Sequence, residues 1–192
     1  MFAHNAKGYD SYFIMDYLVR NGLKPYTIYN GNKLMLLEIP KLKIKMQDSL
    51  NLLPIPLKDF AKTFGIEEIK KGYFPHYFNK PENYNYKGKL PPKEDYGYDN
   101  MREKDRKDFL KWYIKNVDKE FDFMKELKEY CDSDVNILRR GLLELRKNFL
   151  EIVGVDPLQY LTIASVCMAI YRNKDMSKDS IGIMENDAKD QI

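Results

Sequence analysis

The chain has 192 residues, 44% hydrophobic and 32% charged, with a formal net charge of +3. This suffices for the core of one domain, or of one domain and part of another, and it permits a nucleic-acid face without demanding one. Cys131 and Cys167 lie far apart with no CxxC partner, which argues against a zinc site or disulfide framework and fits a reducing, intracellular setting, and no run reaches the roughly 18 apolar residues of a membrane span.

Met1 to Ala3 reads as the end of a buried strand, after which His4, Asn5, Lys7, Tyr9 and Asp10 crowd its tip. Apolar residues at Phe13, Ile14, Tyr17 and Leu18 have helical spacing, and Asn21-Gly22 closes the helix over Ser11 to Val19. Tyr26 to Tyr29 and Lys33 to Ile39 are strand-like, and Asn30-Gly31 between them is a strong hairpin signal. The next stretch alternates, with Leu42, Ile44 and Met46 facing one way and Lys41, Lys43 and Lys45 the other. The ordinary role of such lysines is a solvated strand edge; contact with a phosphate backbone is the alternative.

Leu57 to Ile66 forms a short amphipathic helix stopped by Gly65. Gly72 to Asn100 then holds Pro75, Pro81, Pro91 and Pro92 and many of the 15 tyrosines. A loop of this length in a compact domain is functional or disordered, and its aromatic content suggests packing. Lys104 to Asn116 and Glu120 to Ile152 are predicted helices, the second ended by Gly154 and Pro157. A further apolar helix spans the stretch from Asp156 to Arg172, and the tail from Asp175 is polar.

One irregularity stands out in the long helix. Its apolar stripe meets Asp134 where another apolar residue is expected, with Val135 beside it. Tyr130 and Asp134 are four apart and share a face. A carboxylate turned toward a core is costly unless paired or holding a metal. The plainer alternative puts Val135 in the core and Asp134 in water. Asp10 has a plain reading too, as an acidic residue favoured at a helix start.

In order and spacing, "HNAKGYD", "DSLNLL", "KKGY" and "YCDSD" resemble the 3′–5′ exonuclease domain of protein-primed family B DNA polymerases, most nearly those of self-synthesising mobile elements and related viruses. The resemblance runs from about residue 2 to about residue 173. It implies an α/β, RNase H-like fold over residues 1–153, with 154–192 starting the segment that leads into a polymerase domain. It also implies two divalent ions, Mg²⁺ or Mn²⁺, acting on a phosphodiester. On that pattern Asp10 and Asp134 are metal ligands, Tyr130 orients the attacking water and Lys71 supports the phosphate. His4, Asn5, Tyr9, Ser49 and Leu50 hold the single-stranded 3′ end of DNA, and a primer terminal protein is a further expected partner.

The family's first exonuclease motif, Asp-x-Glu, supplies the ligand bridging both ions and belongs upstream of Met1. The only Asp-x-Glu here, Asp118-Lys119-Glu120, lies downstream near the long helix and is rejected as a substitute. The expectation is therefore an N-terminally truncated exonuclease domain whose Met1 is internal to a longer protein and which is inactive alone. The alternatives are a non-catalytic single-strand-binding remnant and an unstable mobile-element relic.

Overall fold

The structure, a computed structural model, describes residues 1–66, 72–177 and 180. In chain order the elements are β1 (Phe2–Ala3), α1 (Asp10–Arg20), β2 (Tyr26–Asn30), β3 (Lys33–Ile39), β4 (Ile44–Asp48), α2 (Leu57–Thr63), β5 (Lys87–Gly88), α3 (Glu103–Asn116), β6 (Phe121–Asp122), α4 (Phe123–Val153) and α5 (Ile163–Lys174). The chain divides into two compact units, Met1–Pro54 with Glu144–Ile192, and Ile55–Leu143. Helix α4 belongs to the second unit up to Leu143 and to the first from Glu144 on. Among the described residues no helix is long and apolar enough to cross a membrane.

The first unit is α/β, built on a mixed sheet of order β1-β4-β3-β2. β2 and β3 form the expected hairpin, and its turn needs the positive φ of 58° that Gly31 supplies. β4 runs antiparallel to β3 and parallel to β1, with Phe2 opposite Gln47 and Ala3 opposite Asp48. Both parallel strands therefore end at the same edge. Helix α1 covers the sheet, burying Leu18 with Leu34, Leu37, Ile39 and Met46, and Ala6 joins this core from the loop after β1. Full burial of a Leu- or Ile-sized side chain contributes about 1.5–3 kcal/mol. Tyr12 anchors α1 by donating from its hydroxyl to the Asn32 carbonyl beside the hairpin turn.

The alternating lysines are not a strand edge. Lys41 sits in a 3₁₀ turn over Pro40–Leu42, and Lys43 is left-handed with φ 53°. Only Lys45 is in β4, an inner strand, where it faces Glu38 across the ladder. The proline at the turn's first position ends the alternation, so Leu42 and Ile44 are exposed and burial starts at Met46.

In this unit α4 stops at Gly154, whose φ is 71°. Helix α5 begins later than its apolar pattern suggested. Asp156 caps a 3₁₀ turn over Pro157–Gln159 and pairs with Arg146 at 2.9 Å. Thr162 and Ser165 then form a reciprocal cap, each side-chain oxygen accepting from the other's backbone N–H.

The second unit is held together by aromatic rings. Phe74, Phe121 and Phe123 form one cluster, with Phe78, Tyr86 and Tyr130 against it. Phe109 is fully buried among Tyr73, Tyr96, Trp112 and Tyr113. The Gly72–Asn100 stretch is thus ordered by packing, with short 3₁₀ turns and the β5–β6 pair between its rings. Asp118 to Glu120 lie in the turn before β6 rather than on a helix.

Candidate nucleic-acid interface

The first unit brings together two segments named in the sequence, at the shared end of β1 and β4. The chain leaves β1 through Asn5, whose φ of 62° is left-handed, a conformation asparagine tolerates better than most residues. A turn follows, with the Gly8 N–H donating to the Asn5 carbonyl at 3.0 Å, and α1 starts at Asp10. From β4, Asp48 leads into a 3₁₀ turn over Ser49–Asn51.

Asp48 joins the two. It is only 2% exposed. Its Oδ1 accepts from the backbone N–H of Asn5 at 3.0 Å and of Leu50 at 2.9 Å, and its Oδ2 accepts from the N–H of Lys7 at 3.0 Å. A carboxylate so deeply buried is tolerable because charged acceptors gain from such bonds. Two side-chain links run alongside. His4 Nδ1 and Ser49 Oγ share a hydrogen bond of 2.9 Å, and Lys7 Nζ donates to Asn51 Oδ1 at 3.1 Å.

Around this clamp lie the residues matched to strand holding. Asn5, Tyr9 and Asp10 are exposed, and His4 and Leu50 are half-buried. Ser49 is fully buried, its hydroxyl turned to His4. Tyr9 and Phe13 are 64% and 71% exposed and meet edge to face at 6.3 Å, one helical turn apart. Exposed rings beside a polar loop suit base stacking. Asp48, Lys7 and Asn51 were missed as site residues. The signal for Asp48 was an Asp directly before a Ser at a strand end, the place of an Asx turn.

In the second unit, Tyr130 and Asp134 share one face of α4 with Ile137 and Gly141. Asp134 is half-buried while Val135 is 63% exposed, so the alternative that put Val135 in the core is overturned. The inward positions here are 130, 134, 137 and 141, and residue 135 points away. The Tyr130 ring lies 5.3 Å from Phe74 and 5.6 Å from His76, the latter edge to face. These rings border a cavity of about 460 Å³ that Tyr73, Tyr96, Lys58 and Asp105 also line. Lys71 lies outside the described residues.

Asp10 belongs to the first unit and Asp134 to the second. Hard divalent ions need several oxygen ligands. Among the described residues no three His, Cys, Asp or Glu side chains stand together as a metal-holding group. The described residues alone therefore do not make up a two-ion cage, and no step through a metal is derived.

A mixed α/β unit with a polar loop and exposed rings at one strand edge fits a nucleic-acid protein, and comparison with known proteins makes this specific. All of residues 1–192 match the family of DNA polymerase type B, organellar and viral, and the chain belongs to that family. Proteins described as probable DNA polymerases are similar to it. The one from Ascobolus immersus is 34% identical, covering 94% of this chain and 16% of its own length. The one from Neurospora intermedia is 30% identical, covering 94% and 20%. The one from Agaricus bitorquis is 34% identical, covering 89% and 21%. The chain thus spans about a fifth or less of the length of these relatives. No solved structure matches it.

Proposed function

We propose that this chain is the 3′–5′ exonuclease portion of a protein-primed type B DNA polymerase of the mobile-element kind, RNase H-like in fold, and that it holds the single-stranded 3′ end. Residues 154–192 then start the segment leading into the polymerase domain. The observation that supports the reading is the clamp joining "HNAKGYD" to "DSLN" at the ends of two parallel strands. Asn5, Tyr9 and Leu50 contact the strand, His4 contacts it with Ser49 behind it, and Phe13 adds a stacking ring. Asp10, Asp134, Tyr130 and Lys71 keep the parts that the resemblance implies, with Mg²⁺ or Mn²⁺ as the ions and a terminal protein as the primer.

The test is a fluorescence-anisotropy titration of a labelled single-stranded oligonucleotide with the 192-residue chain. The expected result is binding that weakens as salt rises, because phosphate contacts release counterions, and that weakens further in Asn5→Ala. No binding, or binding indifferent to salt, refutes the reading.

A second reading, a single-strand holder that does not cut, is favoured by the clamp itself, which joins the strand-holding segments, while no three His, Cys, Asp or Glu side chains stand together among the described residues. It predicts no release of mononucleotides by this chain with Mg²⁺ or Mn²⁺. Release that disappears in Asp134→Ala would overturn it. The third alternative, a relic without a stable fold, is ruled out by a single cooperative melt and supported by its absence.

A further inference from the structure

We propose that Asp48 is the positioning residue of this interface, a buried carboxylate that holds the His4–Asp10 loop in its strand-holding shape without touching DNA itself. The inference rests on the strand-holding reading above and adds a residue that neither the motifs nor the family match assigns.

Its position excludes direct contact. The side chain is 2% exposed, and a carboxylate turned to a phosphate would repel it. What it does touch is the backbone of the loop. The N–H groups of Asn5 and Lys7 lie on either side of Ala6, whose side chain is itself in the core. Fixing both amides fixes the path between them, including the left-handed Asn5, and so sets where the Asn5 side chain and the following Tyr9 emerge. The third bond, from Leu50, ties the Ser49–Leu50 turn to the same carboxylate. One buried group thus sets the relative placement of both strand-holding segments. The parallel pairing of Ala3 with Asp48 puts it at the right height to do so.

The two oxygens carry different loads, and this makes the proposal testable. Asp48→Asn keeps shape and volume but replaces one acceptor by a donor. The amide oxygen serves two N–H groups when it takes the Oδ1 place, so Asn5 and Leu50 stay bonded. The amide NH₂ then faces the N–H of Lys7, donor against donor, and that bond is lost. The defect falls on Lys7 alone.

The experiment is amide hydrogen exchange by NMR on the chain with and without a single-stranded oligonucleotide, together with the anisotropy titration. In the wild-type chain the amides of Asn5, Lys7 and Leu50 are expected to exchange slowly, and bound DNA slows them further because it selects the closed loop. In D48N the Lys7 amide exchanges faster while those of Asn5, Leu50 and the β3–β4 ladder do not. Affinity falls about three- to tenfold, as the closed loop drops to that fraction of the population. Asn5→Gly keeps the left-handed backbone, so Lys7 stays protected although affinity falls.

Wild-type clamp amides exchanging at the rate of an exposed loop, or indifferent to bound DNA, overturn the proposal even if D48N does not fold. D48N with an open Lys7 and unchanged affinity reduces Asp48 to a structural role and overturns it too. Protected clamp amides in a chain that binds no single strand overturn the strand-holding reading, and with it the positioning role. DNA binding with unprotected amides fails the clamp alone.

Discussion

Gly141→Ala sets two effects of known sign against each other. In a helix interior alanine is favoured over glycine by about 1 kcal/mol. A Cβ built on Gly141, however, would lie 2.4 Å from Phe60 Cδ2, 3.1 Å from Phe60 Cε2 and 3.3 Å from Phe64 Cδ2. Carbon atoms rest at about 3.5–4.0 Å, so ring or helix must give by roughly an ångström. Phe60 is fully buried and cannot swing into solvent. Overpacking of this kind costs about 1–3 kcal/mol. The clash wins, and G141A is destabilised by up to about 2 kcal/mol net. For a chain of this size a loss of about 2 kcal/mol lowers Tm by about 4–8 °C. Phe60→Val removes the δ and ε carbons that collide, so in that background the same change is expected to be neutral or stabilising. The assay is thermal and urea unfolding of the four proteins of this cycle, with a coupling of about 1–3 kcal/mol expected. Because Gly141 shares its face with Asp134, G141A also bears on how α4 presents that carboxylate. A G141A chain at least as stable as wild type, or no coupling to Phe60→Val, refutes the close approach of α4 to Phe60.

Three further outcomes follow from the geometry. Val135→Ser should change the free energy of urea unfolding by no more than about 0.5 kcal/mol, since Val135 is exposed, whereas Leu142→Ala, at a buried position, should cost about 2–5 kcal/mol; a large effect at Val135 would reverse the assignment of the α4 face. Thr162→Ala removes half of the reciprocal cap on α5 and should cost about 1 kcal/mol, with exchange of the Ser165 amide accelerating; an unchanged amide would show the cap to be idle. Glu126 is half-buried, and burial, with Glu129 nearby, pushes its carboxyl above its usual 4.5. The fold then prefers the protonated form, so this group costs stability as pH rises through the window above 4.5. Glu126→Gln should therefore melt higher than wild type at neutral pH, with the gain closing below about pH 4; a gain independent of pH would sink that account.

Most elements were legible because they are written locally. The helix around Leu18, the Asn30-Gly31 hairpin and the glycine stop at Gly154 follow from short-range spacing and backbone freedom. Where an element's start depended on a competing local bond the reading slipped. The proline turn at Pro40–Leu42 took Lys41 and Lys43 out of the strand, and the cap at Thr162 delayed α5. β6 was too short to carry a pattern of its own, and exists because β5 pairs with it.

For the site, the sequence by itself determined which residue types occur and in what order, and that order was enough to point to the family that the whole chain matches. It also placed Tyr130 and Asp134 on one helix face, because a 3.6-residue period is a local property. Tertiary structure alone decided which neighbour, Asp134 or Val135, faces inward, since two adjacent residues differ only in how the helix is rolled against its surroundings. It alone joined Asp48 to Asn5 and Lys7, more than 40 positions away in the chain. That contact depends on the parallel pairing of β1 with β4, and pairing between distant strands leaves no periodic trace in either segment. A buried carboxylate is recognised by the N–H groups that surround it, and those are backbone groups, the same for every residue but proline, which the amino-acid letters cannot distinguish.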